Sequence, residues 1–245
     1  MRSLERAFDV LAALENAGDS LRLTDISQLT SLHASTVIRI LGVLLKRGYV
    51  EQDRAGRYRL GPLFLTGSYA FLSTDTRSRL AQPILQELSE ITGFTASFYV
   101  RHEFSRVLTA RVDGEHPLRY QIPIGRRLPL HLGGGKVLAA ELEGDELEQF
   151  LDAHPDLDHA SGKQVTRDDF LADLAQIRRA GYYHAWGERE AQIESLSVAV
   201  RTTNEYERPA MLVIAGPTDA DDTNRLKHWV TEMVMAARAI EQLRS

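Results

Sequence analysis

The chain has 245 residues, 43% hydrophobic and 26% charged, which suits one large domain or two modest ones and excludes a largely disordered or fibrous protein. It has no cysteine, which removes disulfide scaffolds, thiol nucleophiles and Cys-ligated metal sites, and no apolar run approaches the ~18 residues of a spanning helix. The net charge of −5 is uneven: nine basic residues stand against seven acidic ones up to Leu72, and 20 against 27 after it.

Arg39, Lys46, Arg47, Arg54, Arg57 and Arg59 concentrate the basic charge, with only Glu51 and Asp53 between them. A basic head on an acidic body suits a DNA-binding module fused to something else, although charge alone suits a solvated face as well. The charged start Met1–Arg6 does not resemble a signal peptide, so a cytoplasmic protein without a membrane partner is expected.

In chain order, Ser3 is placed to cap a helix whose Leu4, Ala7, Phe8, Leu11 and Leu14 form one apolar stripe, ended by Asn16–Asp19. Thr24 is a good cap for a short helix with Ile26 and Leu29 inward. Thr30–His33 is a tight turn, and a further helix from Ala34 carries Val37, Ile40, Leu41, Leu44 and Leu45 inward and stops at Gly48. Strand, polar turn and strand follow over residues 49–60. Three helices and a hairpin define a winged helix-turn-helix, whose third helix is free to enter a major groove. Its exposed Ser35, Thr36 and Arg39 suit bases and phosphates, and Arg54 and Arg57 on the hairpin suit the backbone. His33 shares the exposed side, and Arg59 can cover the domain's own surface with its stem.

Residues 62–92 are helical in pattern, broken at Thr74-Asp75, with Pro83 kinking the second piece or marking its first turn. Strands are expected at Phe94–Arg101, Arg106–Asp113, Leu118–Ile124, Tyr182–Trp186, Leu196–Arg201 and Ala210–Ala215. Helices are expected at Val137–Ala140, Asp145–Leu151 and Phe170–Arg179. A last, long helix runs to Leu243 from a cap at Asp221 or Asp222. The whole is an α+β chain with three parts: a winged helix-turn-helix at 1–61, a linker helix at 62–74 and a sensor-sized domain at 75–245.

Two enzyme readings fail on their motifs. Leu130 stands where a P-loop needs glycine, and Val137 replaces its Ser/Thr. His131–Gly135 is similar to an esterase oxyanion loop, but the chain has no Gly-x-Ser-x-Gly elbow. No catalytic residue, cofactor or metal is expected. His154 and His159 have metal-ligand chemistry, but the Pro155 and charge between them suit a solvent loop.

In its order of motifs the chain resembles the IclR family of bacterial transcriptional regulators. The carriers are Ser3–Ala7, Ser35-Thr36-Val37 with Arg39, Arg47–Val50, Gly56–Gly61, Leu128–His131, Gly135-Lys136 and Gly216-Pro217. The resemblance implies a GAF-like C-terminal domain that binds a small organic effector, and homodimers or homotetramers on double-stranded operator DNA. It places the effector at Gly133, Gly134, Gly135, Ser195, Val213, Ala215 and Trp186. The glycine turn would offer backbone N–H groups to an anion. Val213, Ala215 and Trp186 replace more polar family residues, so the expected ligand is aromatic with a carboxylate-like or amide end. The alternative is a sensor or protein-interaction module of the same fold that lacks DNA binding.

Overall fold

Apolar side chains at helical spacing build the first unit. Val10 and Leu14 of α1 (Arg2–Asn16), Ile26 of α2 (Leu23–Thr30), and Val37 and Leu41 of α3 (Ala34–Lys46) converge with Val50 into one core. The computed structural model describes residues 2–115, 122–202 and 207–243, and the chain divides into compact units at Met1–Thr74 and Asp75–Ser245.

Two caps differ from expectation. Ser3 lies within the first turn of α1, which already includes Arg2. Thr24 lies inside α2, and it is the Asp25 carboxylate that reaches back to the Arg22 N–H at 2.9 Å. Ser31 takes the left-handed backbone that reverses the chain between α2 and α3. The wing pairs β1 (Val50–Gln52) with β2 (Tyr58–Leu60), Val50 opposite Leu60. Asp53 closes its turn by accepting from the N–H groups of Ala55 and Arg57, both at 2.9 Å. Leu21 and Tyr58 exchange backbone bonds at 2.8 and 2.7 Å, which attaches the wing to the loop after α1. α4 (Leu63–Thr74) is strongly apolar yet buries no residue, and Leu65 and Tyr69 are more than 70% exposed.

The second unit starts at α5 (Thr76–Thr92), capped by Asp75, with Pro83 inside it beyond the first turn. Its sheet comprises β3 (Thr95–His102), β4 (Ser105–Val112), β5 (Arg127–Pro129), β6 (Tyr182–Trp186), β7 (Ile193–Val200) and β8 (Ala210–Pro217). All neighbours are antiparallel, in the order β5-β4-β3-β8-β7-β6. Of the strand expected at Leu118–Ile124, residues 118–121 lie outside the described residues, Ile122–Ile124 are not strand, and β5 forms the edge. Residues 203–206 of the β7–β8 connection also lie outside them.

Period-2 alternation gives the sheet two apolar faces. One face, with Tyr99, Leu108, Met211 and Val213, packs with α6 (Lys136–Ala139), α7 (Gly144–Ala153) and α8 (Arg167–Ala180). The other, with Phe98, Leu196, Val198 and Leu212, packs with α5 and α9 (Val230–Gln242). α8 carries a capping box, with Thr166 Oγ1 accepting from Asp169 N–H at 3.1 Å. α9 starts later than expected: a 3-10 turn at Arg225–Trp229 precedes it, so neither Asp221 nor Asp222 is its cap.

Phe98 has no solvent exposure and lies at the centre of the α5–α9 layer. Phe98→Ala is expected to cost about 3–5 kcal/mol in denaturant unfolding. A loss below about 1 kcal/mol would show that this layer is not a packed core.

Candidate nucleic-acid interface and effector pocket

Burial of Val37 and Leu41 turns the opposite side of α3 to solvent. Ser35 and Arg39 are exposed there with His33, while Thr36 is half-buried at the edge of a cleft shared with Ser3 and Arg6 of α1. On the wing, Arg54 stands exposed at the turn. Arg57 is committed elsewhere: its Nε donates to the Ser20 carbonyl at 3.1 Å and to Ser20 Oγ at 3.0 Å, and its Nη2 donates to the same carbonyl. It therefore staples the wing to the α1–α2 loop. Arg59 pairs with Glu51 across the hairpin at 2.9 Å. Arg54 is thus the one wing arginine without a protein partner among the described residues.

In the second unit the sheet register assembles a pocket. Ser195 sits opposite both Ala215 and Ala185, Thr95 opposite Ala215, and Ser97 opposite Val213. Gly133 and Gly134 cover this patch, leaving a cavity of about 50 Å³ also lined by Tyr99, Arg106, Arg111, Leu128, Glu188 and Arg189. Five expected residues meet there: Gly133, Gly134, Ser195, Val213 and Ala215. Trp186 does not, because alternation sends it to the other face, where its ring lies 6.4 Å from that of His184; Ala185 lines the pocket instead. Gly135 is behind the lining, packed so closely that an added Cβ would lie 2.7 Å from the Leu130 carbonyl oxygen and collide with Arg106.

The glycine amides are also less available than the sequence suggested. Gly133 N–H donates to Glu188 Oε2 at 2.9 Å, and Gly135 N–H to the Leu132 carbonyl at 3.3 Å. The protein's own carboxylate occupies the place assigned to a ligand.

Glu188 belongs to a buried network around Lys136, whose ammonium has no solvent exposure. It lies 2.8 Å from Asp173, 3.0 Å from Glu188, 3.0 Å from the Tyr183 hydroxyl and 3.4 Å from His159 Nε2. Tyr183 donates a short bond to Glu188, and burial together with the Glu188 and Asp173 charges holds its phenol far above the usual range. His154 lies elsewhere, its Nδ1 2.8 Å from the Phe150 carbonyl, so the two histidines do not share a site. Among the described residues no group of three possible metal ligands occurs.

Sequence reasoning missed Arg106, Arg111, Glu188 and Arg189 as pocket residues. Arg106 did carry a signal: it falls on the same phase of β4 as Leu108, which packs into the core on that face. It is 4% exposed, its Nη1 donates to the Pro129 and Leu132 carbonyls, both at 3.0 Å, and its guanidinium lies 5.5 Å from the centre of the Tyr99 ring. Its Nε is buried without a partner, and no carboxylate pairs with it among the described residues. Burial lowers its pKa to about 10, against the pull of Tyr99 and Glu188. Burial raises the Tyr99 pKa, against the pull of Arg106, Arg189 and Arg111, so three guanidinium groups surround that phenol. Arg111 and Arg189 each have an acidic neighbour, Asp113 at 2.5 Å and Glu190 at 3.0 Å. The uncompensated charge in the pocket is that of Arg106.

A helix-turn-helix with a wing, followed by an α+β unit enclosing a small cationic pocket, defines a DNA-binding transcriptional regulator. Residues 3–54 match the profile of the IclR helix-turn-helix domain, and residues 71–242 that of the bacterial transcriptional regulator IclR C-terminal domain. The HTH-type transcriptional regulator XynR of Escherichia coli is 30% identical over 99% of this chain and 96% of its own length. The transcriptional repressor IclR of the same organism is 26% identical over 98% and 89%. Among solved structures, an IclR-family regulator from Brucella abortus superposes with a TM-score of 0.85 at 22% identity, covering 99% of this chain and 92% of that one. An IclR homologue from Microbacterium hydrocarbonoxydans, complexed with 4-hydroxybenzoate, gives 0.71 at 22% identity, covering 98% of each. The chain belongs to the IclR family of bacterial transcriptional regulators, whose members are regulators and not enzymes. No single helix is long and apolar enough to cross a membrane among the described residues.

Two outcomes follow from the pocket's surroundings. Gly135→Ala should lower the unfolding midpoint and displace Arg106, because the added methyl collides with backbone that cannot yield; an unchanged midpoint would show that the turn is loose. His131 lies 5.2 Å from the His154 ring, and burial, aided by His154, lowers its pKa to about 4. Its neutral form is favoured in the fold, so its contribution to stability is complete above pH 6.5 and is lost as pH falls from there through about 4. His131→Gln should therefore flatten the acid side of the stability profile, and a profile identical to wild type would contradict this.

Proposed function

We propose that this regulator reads operator DNA with α3 and the tip of its wing, and that its effector is a compact organic acid whose carboxylate meets Arg106. The observation that carries the effector reading is a buried guanidinium with an unused Nε and no carboxylate within ion-pair distance among the described residues, lining a small pocket. A buried cation of this kind is stabilised by an anion. Ser195, Ser97 and Thr95 supply hydroxyl groups along one wall, while Leu128, Val213, Ala215 and Ala185 supply apolar surface. A cavity of about 50 Å³ is well below the ~150 Å³ that admits benzene. This favours a compact acid over the aromatic ligand expected from the sequence. An aromatic acid such as the 4-hydroxybenzoate of the Microbacterium protein requires the pocket to open. The DNA-binding set is Ser35, Thr36 and Arg39 with Arg54, and Arg57 acts by holding the wing in place. The exposed apolar side chains of α1 and α4, Leu4, Phe8, Leu65 and Tyr69 among them, suit a homodimer interface, and the protein acts in the cytoplasm.

Operator duplexes enriched by the protein from a random library, titrated by fluorescence anisotropy, test the DNA half. Arg39→Ala should cost about 1–3 kcal/mol and relax base preference, whereas Arg54→Ala should weaken all sequences evenly and reduce the salt slope by about one. Unchanged affinity in both variants would remove α3 and the wing from the interface. Calorimetry with short keto acids and benzoates tests the other half. Arg106→Lys, folded by circular dichroism, should lose acid binding because a point charge does not replace the planar fork. Undiminished binding would contradict the role of Arg106.

A further inference from the structure

Two residues on the outward side of α3 have no explanation inside the winged unit, whereas Val43, also exposed, borders the cleft against α1. Ile38, a β-branched apolar side chain, is 52% exposed. Gly42 lies in the middle of the helix with ordinary helical backbone, and a Cβ added there would meet nothing within 4 Å. Alanine would fit and would favour the helix, so the glycine is not a requirement of the fold.

Their position supplies a reason. At 100° per residue, Gly42 falls on the same outward side as Ser35, Arg39 and Lys46, opposite Val37 and Leu41, and Ile38 lies one turn before it. The outward side therefore has a bare centre with an isoleucine beside it and basic side chains along it. Thymine is the base whose major-groove edge carries a methyl group, and apolar side chains read it by contact. We propose that Ile38 packs on the C5-methyl of an operator thymine, and that Gly42 provides the clearance that lets α3 sit deep enough in the groove for this contact. The inference rests on α3 being the recognition helix. The basic flanks favour nucleic acid over a protein as the occupant.

Uracil scanning tests it. Full-length protein is titrated with its library-enriched duplex, thymines being replaced one at a time by uracil, which lacks only the methyl. Wild type should lose roughly fourfold in affinity at one or more positions, the weight of a single methyl group. Ile38→Ala should bind the thymine duplex about as weakly as wild type binds the uracil duplex, and should be indifferent to that replacement. Gly42→Ala should raise the unfolding midpoint by about 2–4 °C while lowering operator affinity at least tenfold. Wild-type tolerance of uracil at every position, full uracil sensitivity in Ile38→Ala, or wild-type affinity in Gly42→Ala would each overturn the inference. So would an altered oligomeric state of Ile38→Ala with unaltered affinity, which would assign the side chain to a second copy of the chain. Undiminished binding by Arg39→Ala as well would sink the α3 reading itself, whereas undiminished binding by the Ile38 and Gly42 variants alone would sink only this inference.

Discussion

The effector domain is organised around an ammonium group with no access to water. Burying a lysine costs several kcal/mol unless acceptors replace its hydration. Lys136 has Asp173 from α8, Glu188 from the β6–β7 connection, Tyr183 from β6 and His159 from the α7–α8 connection. Side chains from the stretch 159–188 are thereby fixed to one atom of Lys136. Because Lys136 directly follows the glycine turn, the turn is fixed as well, and Glu188 completes the arrangement by accepting from Gly133 N–H. Removing Lys136 would leave two carboxylates facing each other without their cation, so the network holds together as a unit.

Arg106 differs from Lys136 in how its charge is met, and the proposed role of Arg106 as the effector's partner rests on that difference. Both are buried cations under the same turn. Lys136 has two carboxylates within 3.0 Å, whereas Arg106 has backbone carbonyls, an aromatic face and an idle Nε. Its bond to the Leu132 carbonyl connects it to the residue before Gly133. On the proposed reading, an acid at Arg106 would bear on the same turn that Lys136 and Glu188 hold.

The winged unit was legible because each of its elements carries its own periodicity and punctuation. The helix-turn-helix spacing, Gly48 and the polar wing turn are local signals. The structure departs from them at caps, where Asp25 reached back in place of Thr24, and at Leu29, expected inward but 63% exposed; Leu4 and Phe8 of the α1 stripe are exposed too, because Val10 and Leu14 fill the core instead. In the second unit, the family resemblance named Ser195, Val213 and Ala215, which the strand register brings together, and the same register excludes Trp186, one residue out of phase. What could not be read was long-range pairing. Glu188 meets Gly133 across 55 positions, and Arg57 meets Ser20 across 37. Nothing near either residue announces that its hydrogen-bonding capacity is already used. Arg106 was detectable in principle as a charge on an apolar strand phase, a pattern tolerated only when function or a buried partner requires it.

Thermodynamic linkage provides the most direct test of the account. If an organic acid at Arg106 governs operator binding, the factor by which saturating acid changes operator affinity must equal the factor by which saturating operator changes acid affinity. Both can be measured on the full-length chain by titrating a short keto acid, such as pyruvate, with and without library-enriched duplex, and the duplex with and without the acid. The account predicts two equal factors different from one, both reduced to one in Arg106→Lys. Acid binding that leaves operator affinity unchanged, or an effect that persists in Arg106→Lys, would contradict it.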